Sequence, residues 1–421
     1  MDDRWDVAVV GAGAAGLMAG IAAAEHGARV VVLEKNRRPG VKILMSGGTR
    51  CNITHSTDNR GIVAAYGPPG RFLHSPLAAF SVQLTLAFFQ AEGVATKVEE
   101  TGKIFPVSNR AADVLDALLA RLERSGATLR LEEPVRELDH QPDGFLLHTS
   151  RQPVLARTVI LTTGGKSYPG SGTTGDGYAL AANFGHRIVP PRPSLVPITV
   201  AAPWVTALRG VTLPDAGVRI LEGDKALIAR RGSLLFAHFG LSGPVILDVS
   251  REVSGHAHPT TLQLELDFVP HLKEAVLDEQ LRQETAAEGK KLLAAVLANV
   301  VPRRLAEALL EVIGLMVDRR AAALSRPDRT RLVAALKRTR LPISGTLGFG
   351  KAEVTAGGVT LDEVDSRTLQ SKLLPGLFFA GELLDLDGPI GGYNFQAAWS
   401  TGWLAGLSAA RACDRLRPAA Q

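Results

Sequence analysis

The chain has 421 residues, a formal charge of +5 from 47 basic and 42 acidic side chains, 46% hydrophobic residues and 21% charged ones. That balance supplies apolar surface for two or three packed domains and excludes a wholly disordered chain. Two cysteines, Cys51 and Cys413, are too few for a disulfide framework or a cysteine zinc site, so no metal is expected and a reducing, cytoplasmic setting fits best. The acidic start (Asp2, Asp3, Asp6) lacks the basic region of a secretory signal. No stretch has the length and apolarity of a membrane helix, so no membrane partner is expected. The basic excess forms no tail, which permits nucleic acid without indicating it.

Residues 7–10 read as a short apolar strand that feeds Gly11-Ala12-Gly13-Ala14-Ala15-Gly16. An Ala-rich helix follows to His26, Gly27 stops it, and residues 29–33 form a second strand ending at Glu34 and Lys35. In this order the glycines have separate tasks: Gly11 a tight turn, Gly13 close approach to a pyrophosphate, Gly16 close helix–strand packing. The helix N-terminus favours an anion, and a Glu34 carboxylate accepts from ribose hydroxyls while repelling a 2′-phosphate. The motif predicts a dinucleotide and does not by itself separate FAD from NAD. Residues 37–52 read as a long loop carrying Lys42, Gly48, Arg50, Cys51 and Asn52, more than a compact nicotinamide domain needs. Its Ile43-Leu44-Met45 run is expected to be partly buried.

Val114, Leu115, Leu118, Leu119 and Leu122 recur at helical spacing across residues 110–124. Short strands are expected at 128–131, 135–138, 144–148 and 154–156. A further strand, 157–162, enters Thr163-Gly164-Gly165, where paired glycines suit close approach by a cofactor. A second Gly-rich run at 170–177 precedes a helix; it is expected to lie beside the cofactor, the alternative being a plain turn in which Asp176 caps that helix. Six prolines between Pro190 and Pro214 mark a change of texture, followed by antiparallel strands at 218–222, 225–230, 233–237 and 261–268. Residues 271–338 are helix-like almost throughout. The strand at 377–380 then enters Gly381-Glu382, and Gly391-Gly392-Tyr393-Asn394 leads into a helix from about residue 395 to 410. That second helix N-terminus suits the electron-rich end of a flavin and, paired with the first fingerprint, favours FAD over NAD.

The expected fold class is α/β: a bipartite Rossmann-like FAD-binding domain (1–189 and 355–421) with an inserted strand-rich domain (190–270 and 341–354) that carries a small helical subdomain (271–340). The chain resembles the BaiN-like NAD(P)/FAD-dependent oxidoreductases, some members of which are called aminoacetone oxidase family FAD-binding enzymes. The resemblance rests on SGGTRCNIT at 46–54, GKIFPVS at 102–108, TTGGKSYPGSGTTGDGY at 162–178, LLFAHFGLSGPVILDVS at 234–250, EVTAGGV at 353–359 and FAGELLDLDGPIGGYNFQAAWSTG at 379–402. It implies the same bipartite FAD domain. It also implies that Gly11, Gly13, Gly16, Glu34, Lys42, Gly48, Arg50, Cys51, Asn52, Gly164, Gly381, Glu382, Gly392 and Asn394 line or shape the FAD site. The family usually has a glycine at Thr49 and a different turn at Pro389-Ile390.

The expected activity is an FAD-dependent oxidoreduction of a small or medium organic substrate. No second complete fingerprint follows the first, so NAD(P)H, where it donates electrons, must dock transiently. The alternatives are an FAD-dependent RNA-modifying protein and a non-catalytic FAD-binding protein. Candidate proton-transfer or nucleophilic side chains are His238, Tyr168, Tyr393 and Cys51, the last with Arg50 to lower its thiol pKa. Each competes with a plain structural role: a hydrogen-bonded His, packed rings, a buried thiol.

Overall fold

Valine-rich strands without polar alternation must be covered on both faces, as in a parallel sheet. The computed structural model describes residues 4–416 and contains that sheet. In chain order the strands are Trp5–Val10 (β1), Val30–Leu33 (β2), Thr54–His55 (β3), Thr96–Val98 (β4), Lys103–Pro106 (β5), Thr128–Arg130 (β6), Val135–Gln141 (β7), Gly144–Thr149 (β8), Val154–Leu161 (β9), Ile188–Ser194 (β10), Ile198–Val200 (β11), Thr212–Glu222 (β12), Lys225–Ala237 (β13), Gly240–Ser242 (β14), Leu262–Asp267 (β15), Thr339–Thr346 (β16), Val354–Val359 (β17) and Leu377–Phe379 (β18). The fold is mixed α/β: a Rossmann-like core and a separate strand-rich region with a small barrel and helical insertions.

Two units divide the chain. One runs to Arg192 and resumes at Val354; the other is Pro193–Glu353. In the first, the sheet order is β6-β2-β1-β9-β8-β7, with β18 also on β9. β9 divides its outer edge: its start pairs antiparallel with β8 at Ala156, and its end pairs parallel with β18 at Val159 to Leu161. The strands expected separately at 154–156 and 157–162 are therefore one strand, because no turn residue interrupts them. A small sheet, β3-β5-β4, stands apart from the large one. In the second unit β11-β14-β13-β12-β15-β16 close into a barrel, with helix Pro244–Gly255 against β12 and β13. The segments 225–230 and 233–237 also fuse, into β13, because a register shift beside Ala216 accommodates Gly232 within the ladder. The helix-like stretch becomes Glu274–Ala287, Leu293–Leu297, Arg303–Val312 and Arg326–Lys337, all between β15 and β16.

The first unit is held together around helix Ala14–Glu25 (α1), whose residues from Ala15 to Ala23 are all buried. The long C-terminal helix Tyr393–Leu416 crosses it at backbone distance. A Cβ on Gly402 would lie 2.3 Å from the Ala15 carbonyl oxygen, and one on Gly406 would lie 2.2 Å from that of Ala19. Bulk here has nowhere to go, since both neighbours are backbone. Gly406→Val is expected to destabilise the first unit by about 2 kcal/mol, read as a lower denaturant midpoint; an unchanged midpoint would show that the two helices can separate freely.

Candidate functional site

The β1–α1 turn is shaped by backbone crowding. Gly11 has φ +101°, and a Cβ there would lie 2.8 Å from the Thr162 carbonyl oxygen. A Cβ on Gly16 would lie 1.8 Å from the Gly11 oxygen, whereas one on Gly13 meets nothing within 4 Å. The turn is thus closed towards the sheet and open at Gly13. α1 begins at Ala14 with no side-chain cap, and Leu17 is the first residue to bond back, to Gly13 O. The N–H groups of Ala14, Ala15 and Gly16 are left at an open helix N-terminus, the arrangement that holds a phosphate. Glu34 is buried at the end of β2. One carboxylate oxygen accepts from Ala12 N and the other from Asn36 N, both at 2.8 Å. It ties the turn to the following loop and keeps further lone pairs for ribose hydroxyls.

Residues 41–49, read above as loop, form a broken helix, Val41–Thr49 (α2): Ile43 packs inward, Met45 is exposed, and Ser46, Gly47 and Gly48 leave helical geometry. Lys42 on α2 donates to Ser167 Oγ at 2.8 Å and forms an ion pair with Glu382. Glu382 also accepts from Ser167 Oγ at 2.7 Å and from Thr355 N at 2.9 Å. Thr355 Oγ1 in turn accepts from Lys166 N and Ser167 N. A Cβ on Gly165 would lie 2.3 Å from Thr355 Oγ1. Four separate segments meet in this half-buried cluster. Lys35 joins a further pair, donating to Thr174 and Asp176. Asp176 is therefore not the cap of helix Asp176–Ala182; Gly175, at φ +88°, takes that position because it alone accepts a left-handed backbone there. Gly164, at φ +73°, packs on Thr173 beside Thr163.

The Gly391-Gly392 turn lies directly on β3. A Cβ on Gly392 would lie 2.4 Å from Thr54 O, and the Asn52 amide, in the orientation that satisfies both its atoms, accepts from Gly392 N at 2.9 Å. Asn394 closes the loop it ends, accepting from Gly388 N and donating to Gly388 O. Tyr66 adds a bond to Tyr393 O; burial, then the charges of Asp387 and Glu382, hold its phenol well above the usual range. Helix Tyr393–Leu416 then anchors through Gln396, which accepts from Thr54 and donates to Thr85, and through Trp399, which donates to Ile53 O.

Of the four reactive candidates, Tyr393 is half-buried at this helix start, its ring stacked on His55 at 4.6 Å. Tyr168 is half-buried with φ +57° in the loop after β9. Cys51 is fully buried, and burial pushes its thiol up to about 12 against the opposing bond from Ser46. Arg50 does not activate it. Its guanidinium pairs with Glu99 at 2.6 Å and lies 3.9 Å over the Phe105 ring. His238 is in the other unit, exposed, edge-on to Phe239 and without a hydrogen bond among the described residues, so the hydrogen-bonded structural role does not apply. Sequence reading did not single out His55, Tyr66, Ser167, Thr355 or Tyr178. Ser167 and Tyr178 lie within the quoted 162–178 run, but nothing in the run marks their partners. Among the described residues the buried Thr163 Oγ1 and Tyr178 OH have no hydrogen-bond partner. Thr163 adjoins the crowded turn at Gly11, and buried hydroxyls without protein partners fit a polar cofactor such as FAD. No group of three or more His, Cys, Asp or Glu is placed for a metal, and no single helix is long and apolar enough to cross a membrane, again among the described residues.

Residues 5–408 match the HI0933-like protein Rossmann domain family. The ribosomal RNA dihydrouridine synthase of Escherichia coli is 34% identical over 404 residues, covering 95% of this chain and 97% of that protein. The 3-dehydro-bile acid delta(4,6)-reductase of Clostridium scindens is 34% identical over 407 residues, covering 96% and 98%. Among solved structures, a 3-ketosteroid-delta4-(5alpha)-dehydrogenase from Rhodococcus jostii superposes with TM-score 0.50 at 16% identity over 97% of each chain, a likeness of fold alone.

Iodoacetamide at about pH 8 should leave Cys51 of the folded protein unmodified, since the thiol is both buried and protonated, and should label it after unfolding. Rapid labelling of the native protein, read by peptide mass, would show an accessible thiolate instead. Tyr178→Phe removes an orphaned hydroxyl. Without cofactor its stability should be unchanged or higher, while FAD retention falls; lower stability with unchanged FAD retention would mean that the hydroxyl serves the fold.

Proposed function

The chain belongs to the HI0933-like protein Rossmann domain family, and from that premise we propose that it uses FAD to saturate a carbon–carbon double bond conjugated to a carbonyl. The coarser statement, an FAD-dependent oxidoreductase acting on an organic substrate, follows from the family and from relatives matched over nearly their whole length. One observation carries the finer reading. The two relatives described above, each 34% identical to this chain, are named for chemically distant molecules that share one reacting unit. Making dihydrouridine saturates a ring double bond conjugated to a carbonyl, and a delta(4,6)-reductase acting on a 3-dehydro acid does the same in a fused ring.

When bound, FAD supplies the hydride chemistry. The residues of this chain would bind and orient. The α1 N-terminus and the Gly11–Gly16 turn would hold the diphosphate, and Glu34 the ribose. Thr163 and Tyr178 offer the unpaired hydroxyls, and the Lys42–Glu382 pair keeps the loops around them in register. Saturation needs a proton as well as a hydride, and Tyr393, half-buried at the Gly391–Gly392 turn, is the candidate to hold it. NAD(P)H is the proposed electron donor, docking transiently.

Mass analysis of the nucleotide released from purified protein should give FAD. Anaerobic NAD(P)H should bleach the flavin absorbance near ~450 nm, and a conjugated carbonyl compound should restore it with stoichiometric saturated product. Release of FMN, no nucleotide after reconstitution with FAD, or a bleached flavin that neither a uracil ring nor an unsaturated oxo acid reoxidises would each sink this reading.

A further inference from the structure

Tyr393 stands first in its helix, directly after the Gly391–Gly392 turn. Inside a helix a side chain leans on the turn before it, and its rotamer is set there. At the first position that turn is missing, so the ring must be held from outside the helix. Tyr66 fixes only the main chain here, its hydroxyl donating to Tyr393 O at 3.1 Å. The ring itself lies on His55, with centroids 4.6 Å apart and 22° between the planes.

His55 is held in its turn. β3 is only Thr54–His55, and successive residues of a strand point to opposite faces. Thr54 is buried and bonded to Gln396 of the C-terminal helix, which leaves His55 on the other face. His55 Nδ1 lies 3.0 Å from Gly391 O; a carbonyl only accepts, so Nδ1 carries the proton and donates it. Gly102, at φ +78°, lies against another edge of the ring, where a Cβ would lie 2.6 Å from Nε2. Gly391, at φ +130°, makes room for both rings, since a Cβ there would lie 3.3 Å from His55 Nδ1 and 3.2 Å from Tyr393 Cε2. Segments distant in sequence thus close on one imidazole, whose face is given to Tyr393. The task needs a flat ring with a donor on its edge: phenylalanine lacks the donor and asparagine lacks the ring.

We propose that His55 is a positioning residue that acts through Tyr393, setting its phenol in the orientation from which the proton is delivered. This rests on the reductase reading for what the proton is used for. Saturating the double bond takes one hydride and one proton. NAD(P)H supplies the hydride and leaves as NAD(P)⁺. The phenol O–H bond breaks, its proton forms the second C–H bond, and water returns a proton to the phenolate.

The test uses the full FAD-loaded chain with 3-fluorotyrosine at its four tyrosines, the Tyr393 fluorine signal being the one that Tyr393→Phe lacks. In the parent that signal should be displaced from its unfolded position by the ring stacked on it. His55→Asn keeps an edge donor and loses the ring, so the displacement should vanish; His55→Phe keeps a ring and should retain most of it. Reoxidation of the bleached flavin by a conjugated carbonyl compound should slow about a hundredfold in Tyr393→Phe, which loses the proton. It should slow at least about tenfold in His55→Asn, which misplaces that proton. The loss should fall on reoxidation and not on bleaching by NAD(P)H. In a Tyr393→Phe background His55→Asn should slow reoxidation no further, because no phenol is left to position; a purely structural histidine would add its loss in either background. Where His55→Asn fails to fold, His55→Gln carries the same readouts. Three outcomes overturn the proposal: an unchanged Tyr393 signal in His55→Asn, additive losses in the double variant, or no slowing in Tyr393→Phe. A Tyr393 signal that depends on His55, in a protein whose bleached flavin no conjugated carbonyl compound reoxidises, would leave the positioning standing and defeat the reductase reading.

Discussion

The first unit depends on how closely α1 can be approached. On one side, Gly16 lets α1 press on the turn that precedes it, where a side chain would collide with the Gly11 carbonyl. On the other, Gly402 and Gly406 bring the C-terminal helix onto the backbone at Ala15 and Ala19. A helix caught between backbone and backbone cannot slide or tilt without a clash. Its N-terminus is therefore held relative to the sheet, and so is the start of the C-terminal helix, which brings the Gly391–Gly392 turn to β3. Two helix N-termini far apart in sequence are positioned by the same three glycines, Gly16, Gly402 and Gly406.

This constraint explains what the sequence revealed and what it hid. Gly11, Gly13 and Gly16 were legible because each departs from what a helix or strand prefers and their spacing has one economical explanation. The Rossmann order was legible for the same reason, since Val30–Leu33 and Val154–Leu161 have no polar alternation to suggest an exposed face. The packing of Gly402 and Gly406 was not legible, because small residues within a helix do not name the surface they meet. Residues 41–49 misled in the opposite direction: Gly47 and Gly48 signalled loop, and the chain does break there, but only after Val41 to Met45 has completed a helical turn. The strand pieces either side of Gly232 merged because a ladder with a register shift absorbs a glycine that looks like a boundary in one dimension.

Side-chain partnerships were the least visible part. Lys42 and Glu382 were both read as cofactor residues, 340 positions apart, yet each has the other as its ion-pair partner. A carboxylate that satisfies Lys42, Ser167 and the Thr355 amide is a structural hub first, and its influence on a bound group is through the loops it aligns. Asn394 is similar: its amide is spent on Gly388 and Pro389 within its own turn. The hydroxyls of Thr163 and Tyr178, left without protein partners, reverse the usual inference. A residue that satisfies itself within the protein tells little about a ligand, whereas a buried polar atom with no partner costs free energy until something supplies one.

Tyr178 also shows how charge and burial combine around the 381–388 loop. Burial, then the nearby Glu382 and Asp385 charges, raise its phenol far above the ordinary tyrosine range, and Tyr66 is raised in the same sense with Asp387 and Glu382 contributing. Both phenols therefore remain hydrogen-bond donors at every physiological pH. Lys42 is the cation that meets this group of carboxylates through Glu382. A region built of protonated phenols and carboxylates is suited to binding through donors rather than through fixed positive charge. The α1 N-terminus, where no side chain caps the first N–H groups, is where an anionic diphosphate would be held.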